Sequence, residues 1–212
     1  CAILIEPIQG EGGVNCPSEG YLKTLREICD EKEVLLIFDE VQVGMGRTGK
    51  LFAYEHYGIV PDILTLAKSL AGGVPIGALL IKKEISDGFK PGDHASTFGG
   101  NPLATAAGVA ALTAILEEGM LENCRNVGGY FLSRLGEMKK KFPFITDVRG
   151  KGLILGMELS MDGGSIVKEM MQRGFLINCT MGNVLRFLPP LIVTEKEVDQ
   201  MLEVLEEVLK KI

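Results

Sequence analysis

The chain has 212 residues, 46% of them hydrophobic and 24% charged, which suits one large folded domain or one domain with a smaller companion and excludes an intrinsically disordered chain. A net charge of −6 leaves no basic stripe for nucleic acid, and no apolar run approaches the roughly 18 residues of a membrane helix. Five scattered cysteines (Cys1, Cys16, Cys29, Cys124, Cys179) form no CxxC pair, which predicts free thiols in a reducing cytoplasm rather than a disulfide framework or a metal site.

Residue 1 is Cys rather than Met, and "CAILIEP" enters a strand pattern directly, which predicts a fragment or a processed product. "AILIE" (2–6) reads as a buried strand. "PSEGYLKTLREICDEK" (17–32) opens on Pro17 and Ser18, a helix-start signal, and spaces Leu22, Leu25, Ile28 and Cys29 on one face. "VLLIF" (34–38), "DILTLAK" (62–68) and "IGALLI" (76–81) predict three further buried strands. Strand, helix, strand with runs apolar on both faces predicts a mostly parallel sheet covered by helices. Between 101 and 119 a run rich in small residues predicts a helix in close contact with its neighbours, with Asn101 as its cap, and 120–141 predicts a second, more charged helix. From Phe144 the order becomes strand, strand, helix, strand, strand, helix, which predicts a separate α+β subdomain. The expected division is 1–115 and 116–212.

Ligands in open α/β sheets sit outside the carboxyl ends of the strands. Three predicted strands deliver polar residues to that rim: Glu6, Asp39 with Glu40, and Lys68. A desolvated lysine becomes a nucleophile, as Schiff-base chemistry requires. A carboxylate on the neighbouring strand favours a protonated pyridine nitrogen, so the pair is the minimum apparatus for pyridoxal phosphate. On spacing alone an ordinary ion pair at a sheet edge remains the alternative. Gly44, Gly46 and Gly49 predict tight positive-φ turns, and Arg47 between them reads as a residue that pins the loop. His56 and His94 receive no catalytic role.

"FDEVQVGMGRTGKLFAYEHYGIVPDILTLAKSLAGGVPIGALL" (38–80) resembles the core of the class-III, ornithine-type aminotransferases. The likeness extends to "EPIQGEGGV" (6–14), "HASTFGGNPLA" (94–104), "DVRGKGLILGMEL" (147–159) and "NVLRFLPPLIVTEKEVD" (183–199), so it covers the whole chain with the motifs in order. The resemblance implies the type I fold of pyridoxal-phosphate enzymes: an α/β large domain with a mostly parallel sheet, and a C-terminal α+β small domain. It implies pyridoxal 5'-phosphate as cofactor and no metal. Lys68 matches the lysine that takes the cofactor covalently and then shuttles the substrate proton. Asp39 matches the acid at the pyridinium nitrogen, and Gln42 the glutamine at the phenolic oxygen. Thr97, with Ser96 beside it, matches a threonine that reaches the partner's cofactor phosphate across a homodimer with shared active sites. Arg186 matches the arginine that grips a substrate carboxylate. Glu11 matches a glutamate that pairs with such an arginine and releases it to a dicarboxylate; a salt bridge between domains is the alternative for this pair.

The implied reaction moves an amino group from N2-acetylornithine to 2-oxoglutarate in cytoplasmic arginine biosynthesis. Ornithine, succinylornithine and 4-aminobutyrate are rival donors, and a same-fold aminomutase or a non-catalytic module are rivals of other classes. Ala71 and Ala95 stand where such relatives usually carry glycine. A glycine-containing phosphate cradle, a ring-stacking aromatic and a further arginine are not found, which predicts that the chain is roughly the C-terminal half of the enzyme and inactive alone.

Overall fold

The computed structural model describes residues 1–212, which fall into two compact units. The first comprises 1–7, 17–46 and 50–119; the second comprises 8–16, 47–49 and 120–212. The chain therefore passes from one unit to the other at Gly119–Met120, and two short excursions, one of them carrying Glu11, belong to the second unit.

The first unit holds a four-stranded sheet of β1 (Ala2–Ile5), β2 (Leu35–Asp39), β3 (Ile63–Leu66) and β4 (Ala78–Ile81), in that spatial order. β1, β2 and β3 run parallel, and β4 returns antiparallel to β3, so the sheet is mostly parallel as expected. Parallel neighbours need a crossover, and α1 (Tyr21–Glu31) lies between β1 and β2. The helix starts at Tyr21 rather than at Ser18, because Gly20 takes the left-handed conformation (φ 79°), which lies outside the helix and costs glycine little. Leu22 and Cys29 are buried on its inner face, while Ile28 is 44% exposed. The expectation that β1 is buried on both faces is not met: Leu4 is 65% exposed on what is the outer strand of this sheet.

Asp62, at the entry to β3, fixes the pairing of β3 with β2. Its N–H donates to the Leu36 carbonyl at 2.8 Å, and the Leu36 N–H donates back to Asp62 Oδ2 at 2.8 Å. The same carboxylate accepts from Arg26 of α1 at 2.7 Å and from Lys82, just past β4, at 2.8 Å. One buried anion thus ties α1, β2, β3 and β4 together. Burial alone would raise the Asp62 carboxyl, but the Leu36 N–H and the Lys82 and Arg26 cations hold it down at about 2.

α2 (Pro102–Glu117) completes the unit. Asn101 caps it, its Oδ1 accepting from the Ala104 N–H at 3.0 Å, and Pro102 occupies the first turn. The small residues of α2 meet the turn that follows β3: a side chain at Gly108 would stand 3.6 Å from the Leu70 carbonyl, and Ala111 approaches Gly72.

The second unit pairs a four-stranded antiparallel sheet with three helices. The sheet order is β5 (Ile145–Lys151), β6 (Ile154–Leu159), β8 (Val184–Phe187), β7 (Asn178–Thr180). The helices are α3 (Met120–Lys141), α4 (Gly164–Gln172) and α5 (Glu195–Leu209). The predicted element order from Phe144 is observed. One apolar core joins all of these elements, with Phe131 of α3 against Phe187 of β8 at a ring separation of 5.2 Å. Thr194 and Glu197 close a reciprocal capping box at the start of α5, with Glu197 Oε2 accepting from the Thr194 N–H at 2.8 Å. At Gly128 an added Cβ would lie 2.3 Å from the Gly152 carbonyl, so α3 can approach the β5–β6 turn only through glycine.

The Asp62 network generates a stability test. Replacement of Asp62 by Asn is expected to cost about 2 kcal/mol of unfolding free energy near neutral pH. Because the folded carboxyl is depressed to about 2, its contribution is present above the ordinary carboxylate range and is lost as pH falls from about 4 toward 2. Urea titrations of both proteins should therefore converge at low pH; an equal gap at pH 7 and pH 2.5 would contradict the assignment.

Candidate functional site

Two clusters carry the predicted site residues, one in each unit. In the first unit, parallel pairing brings the carboxyl ends of β1, β2 and β3 to one rim. Asp39 is the last residue of β2 and stands in register with Thr65 of β3, and Lys68 follows three residues later. The Asp39 carboxylate is held through one oxygen: Oδ1 accepts from the Val41 N–H at 2.9 Å and from the Thr65 hydroxyl at 3.3 Å. A carboxylate oriented in this way keeps Oδ2 for a cationic partner such as a protonated ring nitrogen. That is the donor–acceptor chemistry pyridoxal phosphate needs at this rim, so the residues present fit the group.

Lys68 is not part of the strand, contrary to expectation. It opens a 3-10 turn (Lys68–Ala71), its backbone takes φ 48°, and it is exposed. The burial on which the desolvation argument for a nucleophilic amine depends is therefore not found among these residues. The left-handed conformation is uncommon for a side chain of this size, and strain of this kind, on the order of 1–3 kcal/mol, concentrates at functional positions. The turn is backed by α2 at Gly108 and Ala111. Gln42 is half-buried in the turn after β2. Ser96 and Thr97 lie in an exposed loop ahead of α2, and the Ser96 hydroxyl accepts from the Gly99 N–H at 2.9 Å.

Glu40, to which the sequence assigned no contact, has a structural task beside Asp39. It is buried, and its two carboxylate oxygens accept from the Ala53 N–H at 2.6 Å and the Tyr54 N–H at 2.8 Å. It thereby closes the loop that contains Gln42 onto the following 3-10 turn (Ala53–His56). Burial pushes the Glu40 carboxyl up to about 7, against the two N–H donors and with a smaller push from Glu55. Of the loop glycines, Gly46 (φ 87°) and Gly49 (φ 88°) take positive φ as expected. Gly44 does not: a side chain there would meet the Glu40 carbonyl and Leu66, each at 2.9 Å, so its requirement is space.

The second cluster is a salt bridge within the second unit. Arg186, on β8, donates from Nη1 to Glu11 Oε1 at 2.8 Å. The two side chains differ in exposure: Arg186 is 6% exposed and Glu11 71%. Arg186 also donates from Nε to Asn178 Oδ1 on β7 at 3.3 Å, where the two residues are cross-strand partners. The backbone around Glu11 is fastened separately. The Thr180 hydroxyl donates to the Glu11 carbonyl, and Arg149 donates to the Gly13 carbonyl from Nη2 at 2.7 Å and Nε at 3.1 Å. Arg47 donates to the carbonyls of Leu153 and Pro189, at 3.2 and 2.5 Å, which is the loop-pinning task expected of it. Sequence reasoning missed Thr65, Asn178, Thr180 and Arg149. Polar residues at alternate positions of short strands ("NCT", "ILTL") were the available signal.

A mostly parallel α/β sheet with an acid at the end of one strand and a lysine in the turn beyond the next, together with a buried arginine paired to an exposed glutamate, fits a chain of the pyridoxal-phosphate transferase type. The model of the class-III aminotransferases matches residues 1–209, and the chain belongs to that family. It is 53% identical over 211 residues to the acetylornithine aminotransferase of Methanocaldococcus jannaschii, covering 100% of this chain and 53% of the relative. To the acetylornithine aminotransferase of Caldanaerobacter subterraneus it is 54% identical over 213 residues, covering 100% and 54%. The solved ornithine aminotransferase of Toxoplasma gondii, which carries PLP at partial occupancy in its active site, superposes with a TM-score of 0.94 at 43% identity and covers 99% of this chain and 50% of its own. The chain thus spans about half the length of the relatives it matches.

Glu40 supplies the test from this cluster. Its folded carboxyl is raised to about 7, so its contribution is full below pH 4.5 and is lost as pH rises through 7. The destabilisation caused by Glu40→Gln should accordingly be larger at pH 5 than at pH 8, by an amount on the order of 3 kcal/mol. Equal destabilisation at the two pH values, measured by chemical denaturation, would contradict it.

Proposed function

We propose that the whole protein is a pyridoxal-phosphate-dependent aminotransferase that moves an amino group from N2-acetylornithine to 2-oxoglutarate. The observation that carries this reading is Asp39, held through Oδ1 at the end of β2, with Lys68 strained into φ 48° beyond the adjacent strand. The family match and the names of the relatives support the donor.

When bound, pyridoxal phosphate supplies an electron sink for the charge that develops at the substrate Cα. Lys68 Nζ is the group that would hold the cofactor and move the proton at that carbon. Asp39 Oδ2 would favour the protonated ring nitrogen, and its fixed orientation through Val41 and Thr65 would avoid reorganisation during reaction. Gln42, on the loop fastened by Glu40, would hydrogen-bond the phenolic oxygen of the cofactor. Arg186 takes a substrate carboxylate, and Glu11 occupies the guanidinium when no second carboxylate is present. Thr97, with Ser96, is exposed as a residue that serves the phosphate bound by the other subunit of a homodimer would be. Exposed Phe98 (81%) and Leu103 (74%) beside them fit such an interface. No single helix is long and apolar enough to cross a membrane. We place the reaction in the cytoplasm, within arginine biosynthesis.

Replacement of Lys68 by Ala in the full-length protein should lower turnover by more than about 10³-fold while the fold is retained. Activity within tenfold of the parent would remove Lys68 from the site. Among N-acetylornithine, ornithine, succinylornithine and 4-aminobutyrate, the first should give the highest kcat/KM; efficient use of 4-aminobutyrate with none of N-acetylornithine would overturn the donor. The 212 residues alone, supplied with pyridoxal phosphate, are expected to show no turnover.

A further inference from the structure

Glu11 and Arg186 can act as a selector only if one partner can leave while the other stays aimed. The exposures decide which one leaves. The Glu11 side chain is 71% exposed, so its carboxylate can pass into water at little cost, whereas Arg186 is 6% exposed and a buried guanidinium left without an acceptor is strongly penalised. Glu11 is therefore the partner that leaves, while Arg186 stays in place beside Asn178.

Strand β7 meets both members of the pair with side chains two residues apart, hence on one face of the strand. Asn178, the cross-strand partner of Arg186, accepts from its Nε and leaves the outer edge of the fork for Glu11. Thr180 is buried, and its hydroxyl donates to the Glu11 carbonyl, fixing the backbone from which that side chain extends. Arg149 fastens the same loop two residues on, at Gly13. The loop also braces itself, Asn15 Nδ2 donating to Gln9 Oε1 and to the Gly12 carbonyl at 2.9 Å each.

We propose that Asn178 and Thr180 are positioning residues that make β7 the platform of a carboxylate selector. Asn178 keeps the Arg186 guanidinium aimed when Glu11 withdraws, and Thr180 presents Glu11 as the competitor that an incoming dicarboxylate must displace. Only the Glu11 side chain moves; its backbone stays on β7. The inference rests on the reading of Arg186 as the substrate-carboxylate arginine, and it assigns opposite effects to two neighbouring residues. Loss of the Asn178 carboxamide weakens dicarboxylate binding, because the arginine loses an anchor. Loss of the Thr180 hydroxyl strengthens it, because the competing carboxylate is less well presented.

The test uses glutarate, a dicarboxylate that cannot react, titrated calorimetrically into the full-length protein loaded with pyridoxal phosphate. Asn178→Ala should raise the glutarate Kd by roughly fivefold, and Thr180→Val should lower it by roughly threefold. Thr180→Ser, which keeps the hydroxyl, should restore the parent value. If Thr180→Val does not fold, Thr180→Ala carries the same expectation. A merely structural role would weaken binding in both variants, so Kd changes of the same sign, or none, overturn the proposal. Arg186→Lys separates the two levels: if it leaves the glutarate Kd unchanged, the carboxylate reading of Arg186 has failed; if it abolishes binding while the β7 variants are silent, only the platform has failed.

Discussion

The rest of the first unit depends on the register between β2 and β3, and that register is locked by Asp62. One backbone hydrogen bond and one bond to the carboxylate join Asp62 and Leu36 at the start of the pair, with Arg26 and Lys82 neutralising the anion. At the other end the same register sets Asp39 opposite Thr65. A slip of one residue would turn every side chain of β3 to the opposite face and remove the Thr65 hydroxyl from Asp39. The stability element and the candidate chemistry therefore lie at opposite ends of one strand pair. The lock is an anion held by two cations and an N–H, and the site is an anion held through a single oxygen.

The same economy of fastening recurs in the second unit. Arg149, Thr180 and Asn178 hold the backbone and the guanidinium around the Glu11–Arg186 pair, leaving one exposed carboxylate as the movable part. In the first unit, Glu40 closes the Gln42 loop and α2 backs the Lys68 turn. In each cluster the exposed side chain, Lys68 in one and Glu11 in the other, extends from backbone that its neighbours hold in place. That arrangement is what preorganisation requires.

Much of this was legible in the sequence, and the failures have physical causes. Period and punctuation revealed the parallel core, the small-residue helix with its Asn101 cap, and the element order after Phe144, because those signals are local. Pro17 and Ser18 carry a start signal for α1 that Gly20, through a left-handed backbone, overrides, so the helix begins at Tyr21. The run "ILTLA" leads directly into Lys68 and predicts a strand that reaches the lysine, and nothing local reports that the backbone turns left-handed there. The residue types at the site were recognisable from motifs, but the residues that hold them were not. Thr65, Asn178, Thr180 and Arg149 act through partners 8 to 169 positions away in the chain, and such pairings exist only once strand register is known.

The role proposed for Lys68, that of carrying the cofactor covalently, is open to direct chemical mapping. Full-length protein loaded with pyridoxal phosphate would be reduced with borohydride, digested and sequenced by mass spectrometry. One pyridoxyl-modified peptide is expected, with the modification on Lys68. Modification of another lysine, or of none while the cofactor is bound, would contradict it.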